Sequence, residues 1–497
     1  MATTENGAPS LETTGDARVN LFFKLTRDVH SNPNFYEWID QSMKISQKDT
    51  LKILFNGRDC RGGKGDRETF IQAMNYIAEK YPRLFRINAE IIPIYGRYKD
   101  LIEIYDKLQD DTHRNYIVQV LKEQFELDYK NLNNKQSISL LAKWFPSENK
   151  KWNLKTGIYS DMCKILFLTP SVTHYHLKRF RKEYLTPMRK RINIVENHMC
   201  MNNWDAIKLS EVPSVAINKF KNAFHRHMPE KYLQWIQAIR EGKSKINSGQ
   251  VYPHDLVRHY LNGGLYNDII EEQWNNLVAT TAAYGTFQNS LVISDTSGSM
   301  RGTPMEVSVA LGILIASVTT EPFKNKIITF SAQPALHSIP QNAQTLQDKV
   351  RNVSRMDWEM STNLDAVFEL ILNHAQMYNV SEENMPKRLY ILSDMQFNEA
   401  TTERNWYGEV VQSRTNHENI VNKYKSAGYS LPEIIYWNLR SNTTVDFPVK
   451  SDQEGVSLIS GYSPSILKNI MNAQNITPYS VMREVIDDDR YSLIAAP

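Results

Sequence analysis

The stretch VISDTSGSM, Val292 to Met300, takes an apolar run into a carboxylate, three hydroxyls and a glycine within six residues. Asp295, Ser297 and Ser299 alternate along this turn, so their oxygens can face one centre, and Gly298 allows the backbone to bend tightly between them. Two other places carry matching groups: Thr362 in MSTNLDAVF, just ahead of a helical pattern, and Asp394 in LSDMQF, where another apolar run ends. Two carboxylates and three hydroxyls, with no nitrogen or sulfur, form a hard-oxygen donor set that selects Mg²⁺, Mn²⁺ or Ca²⁺ over zinc. Mg²⁺ keeps open positions, and an acidic residue of a protein partner can complete such a shell. The competing reading is that Ser299 and Thr362 merely cap the helices that follow them.

For these groups to meet, they must lie beyond the carboxyl ends of strands in an open α/β sheet. After about Thr281 the pattern is of that kind. Strands are predicted at Asn289–Ser294, Lys326–Phe330, Ala335–Ile339, Arg388–Ser393, Glu433–Leu439 and Val456–Ser460. Helices are predicted between them at Pro304–Val318, Thr345–Arg355, Leu364–Tyr378 and His417–Gly428, with a last one at Pro464–Asn472. This alternation predicts a doubly wound, mostly parallel sheet. The turn SAQP is too short for a crossover, so the second and third strands must pair antiparallel.

With Asp295, Ser297 and Ser299, then Thr362, then Asp394 in this order on these elements, residues 288 to 475 resemble a von Willebrand factor A domain and its metal-ion-dependent adhesion site. By that resemblance Ser297, Ser299 and Thr362 contact the cation, with Asp295 and Asp394 bound directly or through water. One departure is that Met360 and Ser361 replace the glycine-rich lead that often precedes the threonine.

From about Val19 to Ile270 the apolar spacing is helical, as in RETFIQAMNYIAEKY and KDLIEIYDKL, with breaks at Pro and Gly marking ten or more helices. No fixed repeat period aligns, so irregular stacked helix pairs, a HEAT-like array that is curved or ring-shaped, are expected. The boundaries follow: a flexible N-terminal arm at 1–18, a helical domain at 19–285, the α/β domain at 286–480 and a C-terminal tail at 481–497. The fold class is therefore α plus α/β.

The formal charge of +3 hides an asymmetry: residues 1–290 carry 41 Lys+Arg against 32 Asp+Glu, and residues 291–497 carry 17 against 23. Between 151 and 250 there are 18 basic and 7 acidic residues, enough to attract a polyanion or simply to solvate a helical surface. Within HYHLKRFRKEYLTPMRKR, aromatics interleave with Lys178, Arg179, Arg181, Lys182, Arg189, Lys190 and Arg191, the mixture that single-stranded RNA favours. GRDCRGGKGD lacks the spacing and the hydroxyl of a nucleotide-binding P-loop. Its Arg58, Arg61 and Lys64, with Arg67 just beyond and Arg97 and Lys99 in YGRYKDLIEI, are instead candidates for phosphate contact.

The segments GRDCRGGKGDRE, YGRYKDLIEI, LAKWFPSENK, RKEYLTPMRKRINIVE and YPHDLV are similar to an uncharacterised family that joins a helical module to an A-type domain. That family in turn resembles the TROVE module of the Ro ribonucleoprotein. The resemblance implies a ring of helices whose basic hole takes single-stranded RNA ends.

Three cysteines, Cys60, Cys163 and Cys200, give no disulfide framework. With a polar start and no apolar run long enough for a bilayer, a cytoplasmic or nuclear, non-secreted protein is expected. No nucleophile elbow or metalloprotease helix occurs, so the protein is not read as an enzyme. The expected function is an RNA-binding scaffold of Ro type with a partner-recognising metal site. The alternatives are a protein-assembly component that does not bind RNA and, behind it, a metal-dependent hydrolase.

Overall fold

The computed structural model describes residues 2–148, 155–330, 334–356, 362–398, 415–441, 446–472 and 475–497. Its N-terminal part is helix-rich, as the sequence predicts. In the helix Glu68–Lys80, Phe70, Ile71, Ala73, Met74, Ile77 and Ala78 are buried at helical spacing, and Pro82 opens the next helix where its missing N–H costs nothing. The helix Asp111–Asn133 begins where the Asp110 carboxylate accepts from the amides of Thr112 and His113.

The C-terminal part is a six-stranded sheet in the order β5-β4-β3-β6-β7-β8. Its strands are β3 (Ser290–Ser294), β4 (Lys326–Thr329), β5 (Leu336–Ser338), β6 (Arg388–Ser393), β7 (Glu433–Asn438) and β8 (Val456–Ser460). All neighbours run parallel except β4 and β5, which pair Lys326 with Ser338 and Ile328 with Leu336 as the short connection requires. The chain order reverses at β3, so β3 and β6 are neighbours, with Ser294 opposite Leu392. The helix Thr303–Val318 is apolar on nearly every side and lies against β3. Gly312 makes that approach possible, because a Cβ there would come within 2.4 Å of the Ser294 hydroxyl.

Both parts share one hydrophobic core, which runs from Val19 through the helices to the sheet and on to Ile494. A smaller core around Phe224, Tyr232 and Trp235 holds the helices Ser214–His227 and Pro229–Arg240 together. The seam is polar where it must be. The Glu271 carboxylate accepts from the amides of Leu346 and Gln347 at the start of the helix Leu346–Val353, and Arg258 pairs with Glu306 at 2.6 Å.

The N-terminal segment differs from expectation. Residues 1–18 read as a flexible arm because they are polar and aperiodic. Instead β1 (Ala2–Thr3) pairs with β2 (Pro9–Ser10), and Leu11 bridges to Phe447 and Gly7 to Asn398. Backbone pairing, which composition does not encode, holds this segment to the α/β domain. The C-terminal tail at 481–497 packs back on the helices: a helix at Pro478–Ile486 leads to Tyr491, buried and stacked on Tyr95 at 5.6 Å, and Arg490 pairs with the buried Asp59. Among the described residues no helix is long and apolar enough to cross a membrane, and Cys60, Cys163 and Cys200 are free thiols.

Two buried histidines make this fold acid-sensitive. Burial, aided by Arg27 and Arg258, pushes His254 down to about 3, and burial pushes His417 down to about 4. The unfolded chain, with histidines near 6.5, takes up protons that the native state refuses between these values. Their stabilising contribution is therefore complete above about pH 6.5 and is lost as the pH falls toward 4 and 3. Urea unfolding should show a loss of about 2 kcal/mol per histidine between pH 7 and pH 5. His254→Gln/His417→Gln should flatten that dependence.

Candidate metal centre and basic surfaces

Asp295 is the first residue beyond β3, and its amide still donates to Leu392 O at 2.9 Å, so the sheet ladder fixes its position. The side chain is fully buried; one carboxylate oxygen accepts from the Ser297 amide at 2.9 Å and the other from the Ser393 hydroxyl at 2.5 Å. Asp394, directly after β6, is 1% exposed and accepts from the Gln396 amide at 3.2 Å and from the Ser299 hydroxyl. The chain turns away at Met395, whose φ of 66° lies in the left-handed region. Ser297 Oγ and Ser299 Oγ lie 3.0 Å apart. The Thr362 carbonyl accepts from the Asn398 amide at 3.1 Å, which pins the third loop to the segment following Asp394.

The electrostatics follow from burial. Asp295 is raised well above the usual carboxylate range by desolvation and then by the nearby Asp394, with the Ser393 and Ser297 hydrogen bonds opposing. Asp394 is also raised, chiefly by desolvation, while Ser299, the Gln396 amide and the more distant Arg440 oppose. Thr362 Oγ1 is buried with no hydrogen-bond partner among the described residues. These oxygens suit a hard divalent cation: two buried carboxylates lie close enough for Asp394 to raise Asp295, and one buried hydroxyl has no hydrogen-bond partner among the described residues.

The capping alternative is not what the structure shows. Asn363, not Thr362, caps the helix Leu364–Met377 through the Ala366 amide at 3.0 Å, and the helix Thr303–Val318 has no side-chain cap. Met360 and Ser361 lie outside the described residues. Among the described residues no group of three or more His, Cys, Asp and Glu is placed to hold a metal, so this hydroxyl-rich set is distinct from a carboxylate or histidine cage.

The basic candidates divide into two classes. Arg58 is buried, with Nε donating to Asp100 at 2.7 Å; Arg67 donates to the other oxygen of Asp100 at 2.8 Å and also pairs with Glu103. Lys64 is fully enclosed, donating to Phe22 O at 2.6 Å, Ser460 Oγ at 2.7 Å and Leu25 O at 3.2 Å, and burial lowers it to about 7. Arg189 spends its guanidinium on Ala142 O, Phe145 O and the Ser147 hydroxyl. For Arg58, Lys64 and Arg189 the expected phosphate contact is corrected: each serves the fold. The GRDCRGGKGD loop folds back on its own helix, with Lys64 N donating to Asn56 O and Asp66 N to Gly57 O.

The other candidates are at least partly accessible. Arg61 is exposed, donating to Ile94 O, and Arg97 is exposed over the Trp144 ring at 5.3 Å, while Lys99 pairs with Glu103. Lys178, Arg179, Arg181, Lys182, Lys190 and Arg191 are exposed along the helical run His174–Ile192, which widens to a π-helical turn at Arg181–Leu185. Arg179 is engaged by Glu183 and lies over Phe167 at 4.5 Å. Phe180 is the buried side of this run and Tyr175 is exposed.

Sequence reasoning missed Ser393, visible beside Asp394 as the last residue of its strand. It also missed the N-terminal segment, where Thr4 Oγ1 donates to Phe397 O at 2.8 Å and the Gln396 side chain accepts from Glu5 N at 2.6 Å. No sequence signal marked that contact.

Over residues 289–492 the chain matches a domain of unknown function, DUF7788, and over 4–122 and 105–287 a second, DUF2828. It is 30% identical over 524 residues to an uncharacterised protein of Acanthamoeba polyphaga mimivirus, covering 98% of this chain and 87% of that one. Among solved structures, the Ro (RSR) protein of Deinococcus radiodurans aligns over 95% of this chain and 99% of that chain, with a TM-score of 0.37 and 11% identity.

The division of the basic residues is measurable. Asp100→Ala strands the buried Arg58 and should cost about 3–5 kcal/mol in urea unfolding, whereas Arg181→Glu/Lys182→Glu should stay within about 0.5 kcal/mol of the parent.

Proposed function

We propose, for a chain that belongs to the DUF2828 family, that it is a non-catalytic recognition scaffold combining a cation-dependent site for an acidic protein partner with a basic helical surface for RNA. In this reading the sheet domain is of von Willebrand factor A type and the helical part is TROVE-like. Asp295, Ser297, Ser299, Thr362 and Asp394 hold Mg²⁺, or Mn²⁺ or Ca²⁺ in its place. A bound cation would supply a Lewis-acidic contact for an incoming carboxylate.

The observation that carries this reading is the buried Thr362 Oγ1, without a hydrogen-bond partner among the described residues, held against the loop of two buried carboxylates of which Asp394 raises the proton affinity of Asp295. The chain does the rest. Ser393 and the Ser297 amide fix the Asp295 carboxylate, and Ser299 and the Gln396 amide orient Asp394. A binding role is favoured over turnover because a hydroxyl-rich donor set is a weaker generator of nucleophilic water than a two-metal carboxylate cluster.

RNA binding is supported by the exposed Lys178, Arg181, Lys182, Lys190 and Arg191 on one helical run beside the exposed Tyr175. Reassigning Arg58, Lys64 and Arg189 to the fold leaves this run as an exposed basic surface among the candidates read from the sequence.

Calorimetry with Mn²⁺ should give one site per chain in the parent protein and none in Ser297→Ala/Ser299→Ala. Asp394→Asn should likewise lose the metal yet raise the melting temperature in EDTA, because it removes a charge that burial disfavours. If the parent protein gives neither heat nor a thermal shift with Mn²⁺ or Mg²⁺, the metal reading fails.

Anisotropy with a short single-stranded RNA should show affinity falling steeply with salt. Lys178→Glu/Arg181→Glu/Lys182→Glu should weaken it more than about tenfold and flatten the salt slope. Salt-insensitive or absent binding would favour the protein-assembly reading instead.

A further inference from the structure

A cleft of about 420 Å³ opens at the seam of the two parts, beside the strand-end site, lined by Arg27 from the helical side and by Arg301, Thr303, Pro304 and Arg440 from the sheet side. Arg301 follows the Ser297–Met300 turn and Arg440 follows β7, near enough to Asp394 to stabilise its charge. None of the three arginines forms an ion pair with a carboxylate among the described residues, in a protein whose other seam arginines, Arg258 and Arg490, are paired. Arg27 is held over the faces of Tyr462 at 4.6 Å and Tyr252 at 5.1 Å, and its Nε is buried with no hydrogen-bond partner among the described residues. Among the described residues the single acid in the lining is Asp28, which is exposed.

The cleft also receives the start of the 16-residue helix Thr303–Val318, which has Pro304 in its first turn and no side-chain cap. A helix N-terminus favours an anion, and it stands here beside three guanidinium forks that make no close ion pair among the described residues. Planar forks match the oxygens of a phosphate in pairs, and three of them exceed what one carboxylate can use.

We propose that this seam cleft is a phosphomonoester-binding site, in which Arg27, Arg301 and Arg440 grip a terminal phosphate whose charge also faces the helix N-terminus. It is distinct from the cation site and does not depend on it. It also differs in kind from the helical run, which meets a polyanion along its length. A terminal phosphate on an RNA strand and one on a free nucleotide share this chemistry.

The test uses the full chain in EDTA, so that the cation site is silent. A 3′-labelled short RNA with a 5′-phosphate is compared with the same RNA bearing a 5′-hydroxyl, and ADP and inorganic phosphate are titrated separately by calorimetry. The 5′-phosphate should tighten RNA binding about tenfold or more, and Arg301→Ala/Arg440→Ala should bring that ratio to about one. Arg440→Lys, which keeps the charge but loses the fork, should lose part of the preference.

Lys190→Ala/Arg191→Ala, with the same loss of charge elsewhere, should weaken both RNAs alike and preserve the ratio. Ser297→Ala/Ser299→Ala should keep phosphate binding while losing Mn²⁺, which separates this proposal from the metal reading. ADP binding that the arginine changes abolish, with no 5′-phosphate preference on RNA, would assign the cleft to a free nucleotide. If no phosphate-bearing probe binds, or if Lys190→Ala/Arg191→Ala alters the ratio as much as the cleft variants do, the proposal is overturned.

Discussion

Two carboxylates withdrawn from water at the ends of adjacent parallel strands set the terms for everything around them. Strand order reverses at β3, so β3 and β6 are neighbours, and the residue after each is an aspartate. Such a pair is costly unless hydrogen bonds or a cation offset its charge. Donors nearby partly do so: the Ser297 amide and Ser393 hydroxyl for Asp295, the Gln396 amide and Ser299 for Asp394. The offset is incomplete, as the raised proton affinity of both acids records.

The seam between helices and sheet is closed by buried charges used as connectors. Lys64 reaches from the helical part to the end of β8, where Ser460 Oγ meets it, and Lys24 pairs with Asp446 at 2.9 Å with both side chains nearly sequestered. Glu271 performs the same service at a helix start. Each replaces solvent with a specific acceptor or donor, so the seam has one register rather than a sliding apolar contact. The unpaired arginines of the cleft stand out because nearly every other charge there is matched.

Much of the α/β half was legible in the sequence. Short β-rich runs bounded by Asn, Asp and Ser gave six strands close to their observed limits, and connection lengths fixed which pair runs antiparallel. Asp295, Ser297, Ser299, Thr362 and Asp394 could be picked out because their polarity interrupts apolar patterns at strand ends. Lys64, Arg58 and Arg189 were not legible as interior groups. Their acceptors lie as much as 396 residues away, or are main-chain carbonyls, which no side-chain pattern advertises. The N-terminal segment was misjudged for a related reason: its ties are backbone bridges and the Gln396 amide, not an apolar stripe. Arg27 and Arg440 are 413 positions apart, and only the folded chain brings them to one wall.

The return of the C-terminal segment to the helical part bears on how this protein is made. Tyr491 fills a place between Tyr95 and Asn56, Arg490 neutralises Asp59, and Asn88 is matched by Ala495. During synthesis the helices around Asn56 and Tyr95 leave the ribosome roughly four hundred residues ahead of the piece that completes their core, about twenty seconds or more at ordinary elongation rates. Until residues 490–495 have been made, Asp59 and the Tyr95 face lack these partners, so the core of the early helices is completed only by a segment translated much later.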